Sequence, residues 1–282
     1  MHKKHYFRKN FQYIIFYDII AKNIRNVKLI SLSKKISSVV GRTNANYDLI
    51  KEGDRILVGF SGGKDSTTLI HALNRLKRVT PFKFEFKAVT VTYGMGEQVE
   101  FLSKHCSEHG IEHEIIDTQI YELAGEKIRK NSSFCSFFSR MRRGYLYSTA
   151  IEQGYNKLAL GHHLDDAIES FFMNFLYNGA LRSMPPKYKA ENGLEVIRPL
   201  IFCRERQLRA FADSNELLVI GDEACPAMRF DIKMPHAREN TKKLLAKMEE
   251  ENPQMFVSMK AAFNNLQTST FFDKDFLDSE VE

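Results

Sequence analysis

Ser61-Gly62-Gly63-Lys64-Asp65-Ser66 sets two glycines against a lysine. Glycines at a helix start expose backbone N–H groups, and a fixed cation beside them completes a cradle for an anion such as phosphate. The spacing is not that of a Walker A loop, which follows its lysine with Ser or Thr; here Asp65 follows. A tight turn with Ser66 as a helix cap accounts for the glycines and serines, but gives no reason for Lys64 and Asp65 between them. A second segment, Gly161-His162-His163-Leu164-Asp165-Asp166, offers imidazoles and carboxylates. Taken alone it is open between two readings: a charged binding loop, or an exposed loop followed by a capping box of Asp166 and Glu169.

The elements around these segments must place them. Arg55–Phe60 is a short apolar run that reads as a strand leading into the diglycine turn. Leu69, Ile70, Leu73 and Leu76 recur at helical spacing behind it, predicting a helix over about 66–77. The alternation continues with a strand over 84–92, a helix over about 98–109 ended by Gly110, and strands over 113–118, 157–160 and 194–200. Ile168, Phe171, Phe172, Phe175 and Leu176 mark one face of a helix after Gly161. This order predicts an α/β doubly wound, mostly parallel sheet with helices on both faces. In such a sheet the two polar loops share the carboxyl edge, facing one crevice. Two closing helices, separated at Asn252-Pro253, end the chain. The expected division is a basic N-terminal extension over 1–45, a nucleotide-binding α/β domain over 46–225 and a helical segment over 226–282.

With 282 residues, 43% hydrophobic and 27% charged, the composition excludes disordered and collagen-like chains. The net charge of +6 permits a polyanionic partner without requiring one. Four cysteines without a C-x-x-C pair are too few for a disulfide scaffold, so a cytoplasmic location is expected. The apolar stretch from Phe11 to Ala21 is interrupted by Asp18 and is too short to span a bilayer, so no membrane partner is expected. Cys106, His109 and His113 do not form a convincing zinc set, because Gly110 ends the helix shared by the first two.

The Ser61–Ser66 hexapeptide resembles the PP-loop of the ATP pyrophosphatases, which cleave ATP between the α and β phosphates. Three further motifs follow: Cys135-Ser-Phe-Phe-Ser-Arg-Met-Arg-Arg-Gly144, Met184-Pro-Pro-Lys187, and Ile197-Arg-Pro-Leu-Ile-Phe-Cys-Arg-Glu205. In this order they resemble the tRNA 2-thiocytidine synthetases, from about Lys34 to Leu266. The resemblance implies an ATP-dependent enzyme that adenylates C2 of an anticodon-loop cytidine and then replaces AMP with sulfur drawn from a cysteine desulfurase. It implies ATP on Ser61, Gly62, Gly63, Lys64, Asp65, Ser66, Gly161, His162 and Asp165, with Lys64 offsetting charge as pyrophosphate leaves. Mg²⁺ would lie near Asp165 or Asp65. The partner is tRNA, met by Arg140, Arg142, Arg143 and Lys187 at phosphates, with Tyr145 and Tyr147 available for base stacking. A homodimer is compatible with the resemblance.

Two positions depart from the family, whose C-S-L-C motif supplies two ligands to a four-iron four-sulfur cluster and whose downstream C-N-L-C supplies another. Phe138 stands at the second cysteine of the first motif, and Asp222 at the first of the second. Two thiolates, Cys135 and Cys225, are fewer than the three expected, so cluster binding is not predicted. The two can instead carry and resolve a persulfide, or be inert buried cysteines. Cys203 reads as a small buried apolar residue. Two other readings remain open: a PP-loop enzyme with an amine nucleophile, as in lysidine synthases, and a non-catalytic nucleotide-binding protein that has lost the cluster.

Overall fold

The computed structural model describes residues 30–127, 134–221, 226, 237–272 and 274, with the side chains of 125–127 and 134–136 left aside. These residues group into two compact units, one within 1–163 and 185–234, the other within 164–184 and 235–282.

In the first unit, helix α1 (Lys34–Tyr47) starts at Ser33, whose hydroxyl accepts from the Ile36 amide. It buries Ile36 and Val40 in the core, so the end of the stretch that reads as a basic extension is a packed helix. The α/β series follows: β1 (Arg55–Gly59), α2 (Lys64–Val79), β2 (Glu85–Val91), α3 (Glu100–Glu108), β3 (Glu112–Ile116), α4 (Ile120–Lys127), α5 (Phe134–Glu152) and β4 (Lys157–Ala159). α2 stops at Thr80 because Pro81 disfavours the α region for the residue before it. After α3 the chain turns at Gly110, whose φ of 64° favours glycine.

The first unit resumes with β5 (Lys187–Lys189), β6 (Glu195–Ile197) and α7 (Glu205–Ser214). The sheet order is β3-β2-β1-β4-β6-β5. Every pairing is parallel except β5 with β6. The short strand β5 and the helices α4 and α7 are not among the elements expected from the sequence, although α7 carries a helical apolar period in Leu208, Phe211 and Ala212, all buried. Alternation along β1 sends Ile56 and Val58 into one core and Leu57 into the other, so the sheet is apolar on both faces as parallel sheets require. Strand order reverses between β1 and β4, which makes their carboxyl ends the switch point where such sheets take ligands.

The second unit holds a helix α6 (Leu164–Asn178), α8 (Ala237–Glu251) and α9 (Met255–Ala262). Pro253 separates the last two, as its position predicts. The expected apolar face of α6 is only partly buried: Ile168 is inaccessible, whereas Phe175 and Leu176 are exposed. Phe171 meets Phe263 edge to face at 5.5 Å. No described helix is long and apolar enough to cross a membrane.

Candidate active site

The diglycine turn begins where β1 ends. The Phe60 amide donates to Val89 O (2.8 Å), and the buried Thr90 hydroxyl donates to Phe60 O (2.7 Å), so β2 fixes the start of the loop. The loop then closes on itself: the Ser61 amide donates to Ser66 Oγ (3.2 Å), which donates to Gly63 O (3.0 Å). Ser66 therefore braces the loop rather than capping the helix. Gly63 is the N-cap of α2 and no side chain caps it, leaving the first-turn N–H groups as anion donors.

Two glycines are required for different reasons. Gly62 has a φ of 78°, and a Cβ there would meet the Ile220 side chain at 2.8 Å and that of Leu102 at 2.9 Å. The Ile220 amide also donates to Gly62 O (2.9 Å). Gly161 has no unusual φ, but its Cβ would fall 3.1 Å from Ser66 N and 3.2 Å from Asp65 C. The loop after β4 thus lies directly against the loop after β1, as the shared carboxyl edge predicts.

Lys64 Nζ sits between Asp65 (3.2 Å) and Glu205 (3.1 Å). Burial works to lower its pKa, but the two carboxylates outweigh this and raise it, keeping Lys64 charged at neutral pH. Buried His163 places Nε2 3.8 Å from Asp65 Oδ1. His162 Nδ1 accepts from Arg198 Nε (3.2 Å), and Arg198 also donates to Pro185 O (2.8 Å) while lying over the Tyr188 ring. Glu205, His163 and Arg198 were not singled out as site residues in the sequence. Arg198 and Glu205 lie inside the Ile197–Glu205 motif, which was the available signal.

Asp165 and Asp166 occupy the first turn of α6, in the second unit. There Asp166 accepts from Arg238 Nη2 (2.6 Å) and buried Glu169 from Arg238 Nε (2.9 Å). The carboxylates of Asp65 and Asp165 are hard oxygen donors of the type Mg²⁺ takes.

The basic helix α5 is less free for a polyanion than its sequence suggests. Arg140 is exposed, but Arg142 donates to Tyr93 Oη (2.8 Å) and lies over that ring. Tyr147 Oη is 2.7 Å from Tyr188 Oη, and burial with this contact pushes its pKa up to about 12, so it belongs to the second core. Tyr145 packs against the same core. Arg143 is half-buried, and Lys187, on β5, lies 3.9 Å from Glu195.

Cys225 and the side chain of Cys135 lie outside the described residues; the backbone of Cys135 falls within the first turn of α5. Phe138 is 1% exposed, edge to face with Tyr93 (5.6 Å) and Phe137 (5.6 Å) and stacked with Tyr121 (6.5 Å). A cluster needs a thiolate at this position, and an aromatic packed into the apolar core cannot supply one, so this residue does not fit an iron–sulfur cluster. Cys203 is fully buried.

A PP-loop domain model matches residues 31–233. The tRNA-cytidine(32) 2-sulfurtransferase of Geobacter metallireducens is 41% identical over 245 residues, covering 86% of this chain and 93% of that protein. The namesake protein of Pseudomonas syringae pv. syringae is 37% identical, covering 88% and 89%. Among solved structures, the U34-tRNA thiolase NcsA of Methanococcus maripaludis, with its [4Fe-4S] cluster, superposes with a TM-score of 0.67 at 24% identity, covering 88% of this chain and 85% of that one. That likeness speaks to the fold. With its diglycine turn seated at the switch point and its sequence aligned along most of these relatives, the chain belongs to the PP-loop family and, within it, to the tRNA-cytidine(32) 2-sulfurtransferases.

Proposed function

We propose that the protein activates the C2 carbonyl of an anticodon-loop cytidine with ATP and exchanges its oxygen for sulfur. The observation that carries this is the uncapped start of α2 with Lys64 beside it. The ATP phosphates lie on the Gly62, Gly63 and first-turn amides, within reach of Ser61 and Ser66, and Lys64 shifts from its carboxylate partners toward the β phosphate. The cytidine O2 attacks the α phosphorus, the bond to the bridging oxygen breaks, and pyrophosphate leaves with its charge offset by Lys64. Asp65 or Asp165 would hold Mg²⁺, which supplies charge neutralisation at the phosphates. Gly161 and His162 complete the wall of the site. Holding the two reactants in line accounts for most of the rate gain, since no side chain has to bond covalently in this step.

Sulfur then attacks C2 and AMP departs with the former O2. Because Phe138 does not fit a cluster, sulfur transfer falls to Cys135 and Cys225. A persulfide on one cysteine bonds to C2, and the other thiolate attacks its inner sulfur. The S–S bond breaks, the outer sulfur stays on the base, and a Cys135–Cys225 disulfide forms. A thiol reductant returns the pair to the dithiol, and a cysteine desulfurase reloads the persulfide. The tRNA backbone lies along Arg140, Arg143 and Lys187, with Arg142 contributing only if its Tyr93 contact opens. An anticodon loop is single-stranded, so presenting the base costs less than flipping it from a duplex. The relatives' names favour sulfur over an amine nucleophile.

The test combines ATP, Mg²⁺, unmodified tRNA, a cysteine desulfurase with cysteine, and a thiol reductant. AMP and pyrophosphate should form only with tRNA, and nucleoside mass spectrometry should find 2-thiocytidine. Lys64→Ala should slow AMP formation by about 100-fold or more while leaving the circular dichroism unchanged. Unimpaired AMP formation in that variant would refute the phosphate assignment, and thiolation that survives Cys225→Ser would refute the two-cysteine route.

A further inference from the structure

Away from the candidate active site, three histidines converge between α2 and α3. His71 comes from α2, and His105 and His109 come from α3 and its C-cap, four residues apart and so on one helix face. Their ring centroids are 5.1, 4.8 and 4.6 Å apart, and His71 Nε2 lies 2.9 Å from His105 Nε2. One nitrogen from each ring falls within 4.8 Å of the others. His71 and His109 are buried, and His105 is partly exposed to solvent.

We propose that His71, His105 and His109 bind one Zn²⁺ ion, with a water in the fourth position. The donor set is the one zinc favours, and Zn–N bonds of about 2.0–2.1 Å in a tetrahedron require nitrogens about 3.4 Å apart. The His71–His105 pair has to open by a few tenths of an ångström and the widest separation, at most 4.8 Å, to close by up to about 1.4 Å, which requires the rings to turn about their side-chain bonds when the metal binds. In the metal-free protein the same two imidazoles share a hydrogen bond instead.

Three further features bear on the site. The C-terminal end of α3, at His109, carries the negative pole of the helix and favours a cation. Asn74 Nδ2 donates to His109 O (3.0 Å), and Phe211 closes one side against the His71 ring. Bound there, zinc would clamp α2, whose N-terminus carries the phosphate cradle, onto α3. The spacing of Cys106, His109 and His113 conceals this set: His113 instead meets Thr90 (2.8 Å) and Ser103 (2.9 Å).

The full chain, purified in chelator and titrated with Co²⁺ and then Zn²⁺, tests the assignment without using activity. The expected result is about one equivalent of metal, with visible Co²⁺ bands of tetrahedral intensity, an X-ray absorption shell of nitrogen and oxygen only, and a melting temperature raised by zinc. His105→Ala should lose the metal and the zinc-dependent rise while keeping its circular dichroism. Should that variant misfold, His105→Phe, which retains a ring, serves in its place. Failure to take up stoichiometric metal, uptake unchanged in the folded variant, or a thiolate-to-cobalt band showing cysteine ligation would each overturn the proposal.

Discussion

At Gly62, Gly63 and Gly161 the same missing atom has three different consequences. Gly62 combines positive φ with side-chain crowding, Gly161 has ordinary φ but backbone atoms at 3.1–3.3 Å, and Gly63 has a φ of −73° with nothing nearer than 3.6 Å. Alanine substitutions should therefore rank. Gly62→Ala carries about 1–2 kcal/mol of left-handed strain plus displacement of Ile220 and Leu102, whereas Gly161→Ala has to push two loops apart, a cost of about 1–3 kcal/mol. Gly63→Ala has neither cost. Calorimetry with MgATP should show affinity reduced about 10-fold or more for the first two and by less than about 3-fold for the third. An equal loss at all three positions would mean that geometry does not set the cradle. The glycine pair was legible as a cradle because its residue types are unusual together. Why Gly161 must be glycine was not, because the atoms it would strike belong to residues far away in the chain.

Among the elements, α6 of the second unit shows what periodicity can and cannot say. Its start was legible in the apolar spacing, and Asp166 with Glu169 invited a capping box. In the structure both carboxylates are instead held by Arg238, from α8. Burial pushes the Glu169 pKa upward, and Arg238 opposes this. Arg238→Ala should leave Glu169 buried without this charge partner and cost about 1–3 kcal/mol, discounted from the fully buried case because the Arg238 side chain is 61% exposed. Urea denaturation should show the loss, and Glu169→Gln in the same background should recover part of it, since the neutral amide removes the buried charge. A double variant no more stable than Arg238→Ala alone would contradict the pairing. The α1 helix and the short strand β5 were missed for a related reason. α1 mixes its few buried positions among polar ones, and a three-residue strand has too few side chains to establish a period of two.

For the whole molecule, acid stability should follow from His113, which ties β2, α3 and β3 together through Thr90 and Ser103. Burial lowers its pKa from 6.5 to about 4, with Glu114 opposing. Between these values the unfolded chain binds a proton that the folded chain does not. The contribution is thus fully present above pH 6.5 and is lost as pH falls toward 4. The urea midpoint should drop between pH 7 and pH 5, and the drop should be smaller in His113→Gln; an equal drop would assign the acid sensitivity elsewhere. Local residue types and periodicities by themselves determined the α/β class, the diglycine turn and its place on the carboxyl edge of the sheet, because strand alternation, helix spacing and a glycine-lysine cluster are written over a few consecutive positions. Only the tertiary structure decided that Lys64 is held by Glu205, that Phe138 fills an aromatic core, and that His71 meets histidines 34 and 38 residues away. Those contacts depend on how packed layers bring distant segments together, and no local period encodes that.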